Sequence, residues 1–241
     1  MKRALSLIFA VLPFAAFGQV VWTDNFDSMS LGSLNGQGGW SESGSATNIV
    51  GTVGIVSPFS GTRMATQQPT TGSAAGIHLP TGWSGRTVGN DILSMSGAIY
   101  VTAGTQNLGS AIIQVLGLGG SGATRMGFAG IANNSFVYGS GSNLFTGPAA
   151  TMNTWHLMRL DVDTVNFSTK MYADNVLIGS DTYDPTAVLN NWGFQSTALF
   201  GPVSNPVFFD SMQVAAVPEP VSMVGLAVAG LALIRRRSVK R

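Results

Sequence analysis

Apolar and polar residues alternate through the middle of the chain, and this alternation predicts β-strands. Segments such as DILSMSGAIYVTA, SAIIQVLGLG and NPVFFDSMQVAAV place apolar side chains at every second position, so that one face of each strand meets a core. Gly, Asn, Ser or Pro separates these segments, and no stretch between residues 19 and 216 keeps a helical period over three turns. We therefore predict an all-β fold, an antiparallel β-sandwich of the jelly-roll type.

The clearest hairpin pattern is TWHLMRLDVDTVNFSTKMYADNVLIGS. Its apolar periodicity and its turn residues predict, in order, a strand from Thr154 to Asp163, a strand from Asn166 to Tyr172, a turn at Asp174-Asn175 and a strand through Ile178. In the first strand, one face is mainly apolar and is expected to meet the core. That face carries His156, Met158, Leu160 and Val162.

The first 18 residues have the three parts of a secretory signal peptide. Lys2 and Arg3 precede an apolar run from Ala4 to about Phe17, and small residues lead to a cut before Gln19. We expect residues 1–18 to form a signal-peptide helix that is removed on export. The folded domain is then expected to begin at Gln19.

The last 25 residues combine a Pro-Glu-Pro triplet, a short apolar run and a basic tail. Val221 to Ile234 carries no charge, and as a helix it spans about 21 Å. This is short of a hydrocarbon core of about 30 Å, but snorkelling side chains and local thinning absorb the difference. Basic residues after the run favour the cytoplasmic face. We therefore predict a short transmembrane helix within residues 217–241, with the rest of the chain outside.

This C-terminal segment resembles the PEP-CTERM sorting signal of Gram-negative bacteria, in the order of its parts and in its terminal placement. The resemblance implies recognition by exosortase, transient residence in the inner membrane, and release to the cell envelope, cell surface or exopolysaccharide matrix. The two prolines disfavour helix and keep the triplet extended, as a protease substrate must be. A membrane-tethered adhesin that is never cut is the alternative. The sorting residues implied are Pro218, Glu219, Pro220, Arg235, Arg236 and Arg237.

Length and composition limit what lies between these two ends. The chain has 241 residues, which leaves one β-sandwich domain at residues 19–216. Charged residues make up 10% and there are 31 glycines, typical of a turn-rich chain with a neutral surface. There is no cysteine, which excludes disulfides, thiolate metal sites and cysteine nucleophiles. The domain holds five basic residues against ten acidic ones, so a nucleic-acid partner is not expected.

Three segments of the domain resemble the concanavalin-like jelly-roll superfamily, which includes laminin-G-like domains. They are WTDNFDSMSLGSLNGQGGW at the expected mature start, the hairpin pattern described above, and FFDSMQV near residue 216. The opening pattern also resembles that of PEP-CTERM exoproteins. The resemblance implies a sandwich in which the first and last strands pair. Enzymes of this superfamily are mostly glycoside hydrolases and lyases, so a glycan is the implied partner.

Catalytic carboxylates are the first requirement of a glycoside hydrolase. The laminarinase-like members of the superfamily carry them in a Glu-x-Asp-x-x-Glu strand, whereas the only glutamates here are Glu42 and Glu219. We therefore expect a non-catalytic protein. The alternative is a glycan hydrolase or lyase with an atypical site, which a cluster of Asp161, Asp163 and His156 in one cleft would support.

Exposed aromatic side chains are the candidates for sugar binding. Trp83 lies in LPTGWSGRT, a loop-like setting, and is the tryptophan we expect to be most accessible. Trp40, Trp155 and Trp192 are further candidates, although aromatic residues of a sandwich belong to the core by default. Trp83 is therefore the predicted glycan-binding residue.

Calcium is the only cofactor that the sequence suggests, and none is certain. Asp24 and Asp27 follow the expected first strand, and Asp210 lies in the expected last strand. Carboxylate oxygens are the ligands that Ca²⁺ prefers. The alternative role of these side chains is to accept hydrogen bonds in turns. Asp24, Asp27 and Asp210 are therefore predicted as a calcium site.

Overall fold

The computed structural model describes residues 18–120 and 122–218, and these two ranges contain sixteen β-strands. A short 3₁₀ turn, Trp83–Gly85, lies between the sixth and seventh strands. The strands are β1 (Gln19–Asp24), β2 (Gly32–Ser33), β3 (Trp40–Gly44), β4 (Thr47–Val50), β5 (Met64–Gln67), β6 (Ser73–His78), β7 (Ile92–Val101), β8 (Leu108–Gly119), β9 (Gly122–Ala132), β10 (Ser135–Gly139), β11 (Phe145–Ala149), β12 (Trp155–Asp163), β13 (Ser168–Ala173), β14 (Val176–Thr182), β15 (Val188–Ala198) and β16 (Val207–Val217).

The strands form two antiparallel sheets that pack face to face. The nine-stranded sheet has the order β14-β13-β12-β7-β16-β5-β4-β2, with β1 also paired to β16. The seven-stranded sheet has the order β11-β10-β9-β8-β15-β6-β3. The expected all-β antiparallel sandwich is therefore confirmed.

The main core lies between the two sheets and is built from alternate residues of their strands. Phe194 of β15 stacks on Phe209 of β16, with ring centroids 4.5 Å apart, so this pair joins the two sheets. Trp40 and Trp192 are among the largest fully buried side chains. These two tryptophans therefore belong to the core, which corrects their consideration as sugar contacts.

The predicted hairpin is present with small shifts in its bounds. β12 begins one residue later than expected, β13 begins two residues later, and β14 continues past Ile178 to Thr182. Burial alternates along β12, with His156, Met158, Leu160 and Val162 on the core side. This confirms the predicted inward face.

The first and last strands are neighbours, as the superfamily resemblance implies. Gln19 lies opposite Ala216 and Asp24 lies opposite Met212 in the β1–β16 ladder. The two ends of the domain therefore lie side by side.

The two flanking segments fall almost wholly outside the described residues. The signal peptide is described only at Gly18, and the sorting signal only at Val217 and Pro218; Glu219, Pro220 and Arg235 to Arg237 are not described. Within residues 18–120 and 122–218, no helix is long and apolar enough to cross a membrane. The predicted signal-peptide and transmembrane helices thus stay predictions.

Candidate functional site

The outer face of the nine-stranded sheet is covered where β5, β16, β7 and β12 run side by side. Residues 51–63, here called the covering loop, bring Val56 onto Met64, Tyr100 and Phe208 in a small buried cluster. Trp155 borders this cluster, and its indole Nε1 donates a hydrogen bond to the carbonyl of Ser57 in the loop. This part of the surface is therefore a second, smaller layer of core.

The outer face of the seven-stranded sheet carries a row of polar side chains beside a small buried cluster of Ile112, Phe128, Ala132 and Val137. Because side chains alternate along a strand, the inward positions of β8, β9, β15 and β6 leave their neighbours pointing away from the core. We call five of these outward residues the polar strip. They are Arg125 of β9, Gln114 of β8, Gln195 and Thr197 of β15, and Ser73 of β6.

Hydrogen bonds link the polar strip continuously across four neighbouring strands. Arg125 Nε donates to Gln114 Oε1 at 3.1 Å, and Arg125 Nη2 donates to Gln195 Oε1 at 3.4 Å. Gln195 Nε2 in turn donates to Ser73 Oγ at 2.9 Å and to Thr197 Oγ1 at 3.2 Å. Each side chain is therefore held in one orientation by its neighbour on the next strand.

Arg125 is the charged member of the strip, and it is only partly exposed to solvent. Burial lowers the pKa of its guanidinium, which lies 5.3 Å above the ring of Phe128. Among the described residues, no Asp or Glu forms an ion pair with it. The strip therefore presents a positive charge that its own neighbours do not neutralise.

A second concave feature lies beside β1 and β16. It is a cleft of about 570 Å³ lined mainly by polar groups. Its lining residues include Trp22, Asp24, Ser60, Ser211 and Gln213. This cleft contains one of the three predicted calcium ligands, Asp24, and adjoins the others.

The three predicted calcium ligands already accept hydrogen bonds within the protein. Asp24 accepts from the amide of Phe26 at 2.7 Å and from Trp40 Nε1 at 2.8 Å. Asp27 accepts, through Oδ1, from the amide of Thr62 at 2.7 Å. Asp24 therefore ties the turn after β1 to Trp40 of β3, whereas Asp27 ties the same turn to the covering loop.

Asp210 is fully buried and is the most perturbed acid of the group. Its carboxylate accepts from the amides of Ser60 at 3.0 Å and of Ser211 at 2.6 Å. Burial raises the pKa of Asp210 to about 6, and the negative charge of Asp27 adds to this rise. In the described ranges, no three His, Cys, Asp or Glu side chains converge as a ready-made metal site.

Trp83, the predicted glycan-binding residue, lies in the 3₁₀ turn between β6 and β7. Its ring packs partly against the main core, and the guanidinium of Arg86 lies 4.5 Å from the ring centroid. Arg86 is held there by an ion pair with Asp91 at 2.8 Å. A sugar ring would therefore have to stack on Trp83 beside this guanidinium or displace it.

The side chains considered for catalysis do not share a cleft. Asp161 lies on the outward side of β12, where it accepts from Ser94 Oγ at 2.7 Å. Asp163 accepts from the amide of Asn166 in the following turn. His156 lies on the opposite, inward side of β12 and bonds to Asp174 Oδ2 at 2.7 Å. His156 therefore does not join Asp161 and Asp163 in one cluster.

The polar strip was not predicted from the sequence. Its members are separated by long stretches of chain, with 81 positions between Gln114 and Gln195 and 122 between Ser73 and Gln195. One signal was available: Gln114 is a large amide in the otherwise mainly apolar segment SAIIQVLGLG. Only the order of the strands, however, reveals that these positions lie side by side.

No protein-family model matches this chain, and neither does any curated protein. Solved structures do match it. An endo-β-1,4-glucuronan lyase from the fungus Trichoderma reesei superposes with a TM-score of 0.53 at 15% identity, over 83% of this chain and 96% of that chain. A conserved carbohydrate esterase from a Shiga toxin-encoding bacteriophage gives 0.54 at 14% identity, over 84% of this chain and 100% of that one.

A sialidase is similar over one of its parts. It superposes with a TM-score of 0.52 at 13% identity, over 83% of this chain, which spans 18% of the sialidase. At such low identities these three likenesses show the fold alone. They place the domain among β-sandwiches that also occur in carbohydrate-active proteins.

Proposed function

We propose that this chain is an exported, non-catalytic glycan-binding protein whose ligand face is the outer face of the seven-stranded sheet. The observation that carries the proposal is the polar strip, a preorganised row of hydrogen-bonding groups on an outer sheet face. Sugar hydroxyls are bound by such fixed polar groups. The three similar structures are a glucuronan lyase, a carbohydrate esterase and a sialidase, which supports a glycan ligand at the level of fold.

The non-catalytic part of the proposal rests on the acids of the domain. Glu42 Oε1 accepts hydrogen bonds from the amides of Leu34 and Thr47, so it ties a turn to β4. Asp161 and Asp163 lie on the outward face of β12, where each accepts hydrogen bonds from its neighbours, and His156 lies on the opposite face. None of these arrangements supplies a pair of carboxylates flanking a bound glycosidic bond.

Export and sorting form the second part of the proposal. The sequence supports it through the signal peptide and the PEP-CTERM-like tail, which imply secretion, recognition by exosortase and delivery to the envelope, surface or matrix of a Gram-negative bacterium. The domain boundaries fit this scheme, because β1 begins at Gln19 and β16 ends at Val217. Cuts before Gln19 and beyond Val217 would leave both strands whole.

Calcium is the third part of the proposal. Asp27 and Asp210 bring two negative charges close together, with Asp210 fully buried. A divalent cation between them would relieve this repulsion and would favour the ionised form of Asp210. The role of the calcium ion would be structural, because the ion would join the turn after β1 to β16.

The glycan proposal is tested with the full chain in a mild detergent and a panel of neutral and acidic polysaccharides, by affinity electrophoresis and calorimetry. Thr197→Trp places a bulky ring in the polar strip and is expected to weaken binding at least about tenfold. Ser180→Trp makes the same kind of change at an exposed position of β14, in the other sheet, and is the matched control. Equal loss in both variants, or no binding of any polysaccharide by the wild type, would reject the proposed face.

A further inference from the structure

Arg125 is the only charged side chain on the outward positions of the seven strands that the structure describes in this sheet. Its two hydrogen-bond partners, Gln114 and Gln195, offer neutral amide oxygens. Neutral acceptors orient a guanidinium without cancelling its charge. A partly buried cation without a counter-charge is costly to maintain.

Two other arginines of the domain have a carboxylate beside the guanidinium, as expected for a purely structural role. Arg86 pairs with Asp91 at 2.8 Å, and Arg159 pairs with Asp161 at 3.3 Å while its guanidinium lies 3.9 Å above the ring of Tyr172. Both are compensated by a carboxylate next to them. Arg125 has the same half-buried setting and the same kind of aromatic support, but its carboxylate is missing among the described residues.

The surroundings hold Arg125 ready for a ligand. Gln114 is 2% exposed, so its amide is fixed, and it fixes Nε of Arg125 in turn. Gln114 Nε2 also donates to Gln195 Oε1 at 3.2 Å, so the two amides that hold the guanidinium are bonded to each other. A preorganised guanidinium loses little entropy on binding and presents a planar fork that matches a carboxylate.

We propose that Arg125 binds the carboxylate of an acidic sugar, while Gln195, Ser73 and Thr197 bind hydroxyls of the units that follow. From β9 to β6 the strip crosses three strand spacings, roughly 14 Å, which suits a short oligosaccharide. The guanidinium donates two parallel hydrogen bonds to the two carboxylate oxygens. This inference rests on the proposed function, because it assigns the glycan class to the same face.

The charge distribution supports an acidic ligand at this face despite the acidic domain. Outward positions of the seven-stranded sheet carry no Asp or Glu in the described strands, whereas Asp161 and Asp163 lie on the outward side of β12 in the other sheet. On this face, the described strands therefore carry no carboxylate that would repel an acidic polymer. Binding would weaken with added salt, because the contact is partly open to water.

The test compares uronate oligosaccharides with their carboxyl-reduced forms, in which each carboxylate becomes a neutral CH₂OH. Tetrasaccharides of galacturonate, glucuronate and mannuronate serve as probes, and calorimetry with the full chain in detergent gives the affinities. We expect at least one uronate to bind about tenfold or more tightly than its reduced form. Arg125→Gln is expected to remove that preference, because it lowers the affinity for the uronate much more than the affinity for the reduced form.

Two further variants serve as a control and as a second test of the carboxylate site. Arg159→Gln removes the same charge from the other sheet and is expected to keep the preference. Arg125→Lys retains the charge but loses the fork, and it is expected to lower the preference, which provides a second reading if Arg125→Gln does not fold. Dextran sulfate tests charge alone, and binding of it equal to that of the uronates would overturn the carboxylate assignment.

The outcomes separate this inference from the proposed function. If the wild type binds uronates and their reduced forms equally well, or if Arg125→Gln keeps the preference, the carboxylate site is wrong while glycan binding stands. Thr197→Trp could leave glycan binding unchanged while Arg125→Gln removes the preference for the carboxylate. In that case Thr197 is not part of the ligand face, and the carboxylate site at Arg125 stands. If no neutral or acidic glycan binds, both are wrong.

Discussion

The carboxylate of Asp210 accepts a hydrogen bond from the backbone amide of Ser60, 150 positions away in the chain, at an N–O distance of 3.0 Å. The hydroxyls of Ser60 and Ser211 add a contact of 2.7 Å beside it. Together these bonds fasten the covering loop to the bulge of β16, where the pairing with β7 shifts between Asp210 and Gln213. A single buried acid thus joins a loop, a bulge and the edge of the cleft.

We predict that, without divalent cations, the free energy of unfolding falls as the pH rises from about 4 to about 7. Burial raises the pKa of Asp210 from 3.8 to about 6, so in this window the folded chain holds a proton that the unfolded chain has released. Stability therefore falls as that proton is lost. Urea unfolding at several pH values measures the slope, which is of the order of 2 kcal/mol across the window.

Asp210→Asn is the variant that isolates this effect. It keeps a neutral group of the same shape, so the slope between pH 4 and 7 is expected to flatten. Other acids act in a lower window: hydrogen bonds to Thr62 amide and Thr186 amide hold the pKa values of Asp27 and Asp184 below their ordinary value. Stability from those acids is lost only as the pH falls below about 4. A slope that survives in Asp210→Asn would assign it to another group.

We predict that calcium raises the melting temperature at neutral pH. Binding to the folded state alone at 100 times the dissociation constant stabilises by about 2.7 kcal/mol, which is roughly 5–10 °C for a domain of this size. Asp27→Asn and Asp210→Asn are each expected to abolish the rise, whereas Asp184→Asn, an exposed acid that caps its own turn, should keep it. No shift at millimolar calcium in the wild type would end the calcium proposal.

The sequence predicted the fold more fully than the site, and β12 shows why. Alternation is a local property, so the burial of His156, Met158, Leu160 and Val162 followed from their spacing alone. The polar strip depends on β9, β8, β15 and β6 lying side by side, an order that no local pattern contains. The covering loop is a similar case, because its contact with Trp155 links residues 98 positions apart.

The tryptophans are a second case in which local sequence did not reveal the position of a side chain. Trp40 and Trp192 occupy Gly- and Asn-containing settings that resemble loops in sequence, yet both are fully buried between the sheets. The Trp22 ring contacts both of them, with centroids 5.5 Å and 5.9 Å away. Aromatic clustering of this kind is a property of the assembled core, so the sequence could not rank these rings by exposure.

We predict that the turn at Asp174 and Asn175 tolerates glycine and rejects β-branched residues. Both residues have positive φ, at 49° and 66°, the backbone of a two-residue type I′ hairpin turn. Asn175→Gly is expected to change the free energy of unfolding by less than about 0.5 kcal/mol, whereas Asn175→Val is expected to cost about 1–2 kcal/mol. Thermal or urea unfolding compares the two. A harmless Asn175→Val would show that the turn has another backbone in solution.

The last prediction concerns the Pro-Glu-Pro triplet, which begins directly after β16. Replacing Pro218, Glu219 and Pro220 with alanine removes the proposed recognition element and the proline restraint on an extended backbone. In a host that contains exosortase, the wild type is expected to lose its C-terminal tag after export, and the triple-alanine variant is expected to accumulate at full length in the membrane fraction.

A second measurement excludes misfolding as the cause of that retention. Because β16 ends at Val217, the substitutions lie beyond the last ladder pair, Val217 with Ile92, and the melting temperature of the domain is expected to stay the same. Replacement of Arg235, Arg236 and Arg237 with alanine tests the basic stop separately, since the positive-inside bias would then no longer fix the tail at the cytoplasmic face. If the wild type keeps its tag at the membrane in an exosortase-positive host, the sorting proposal fails and the uncut, membrane-tethered adhesin replaces it.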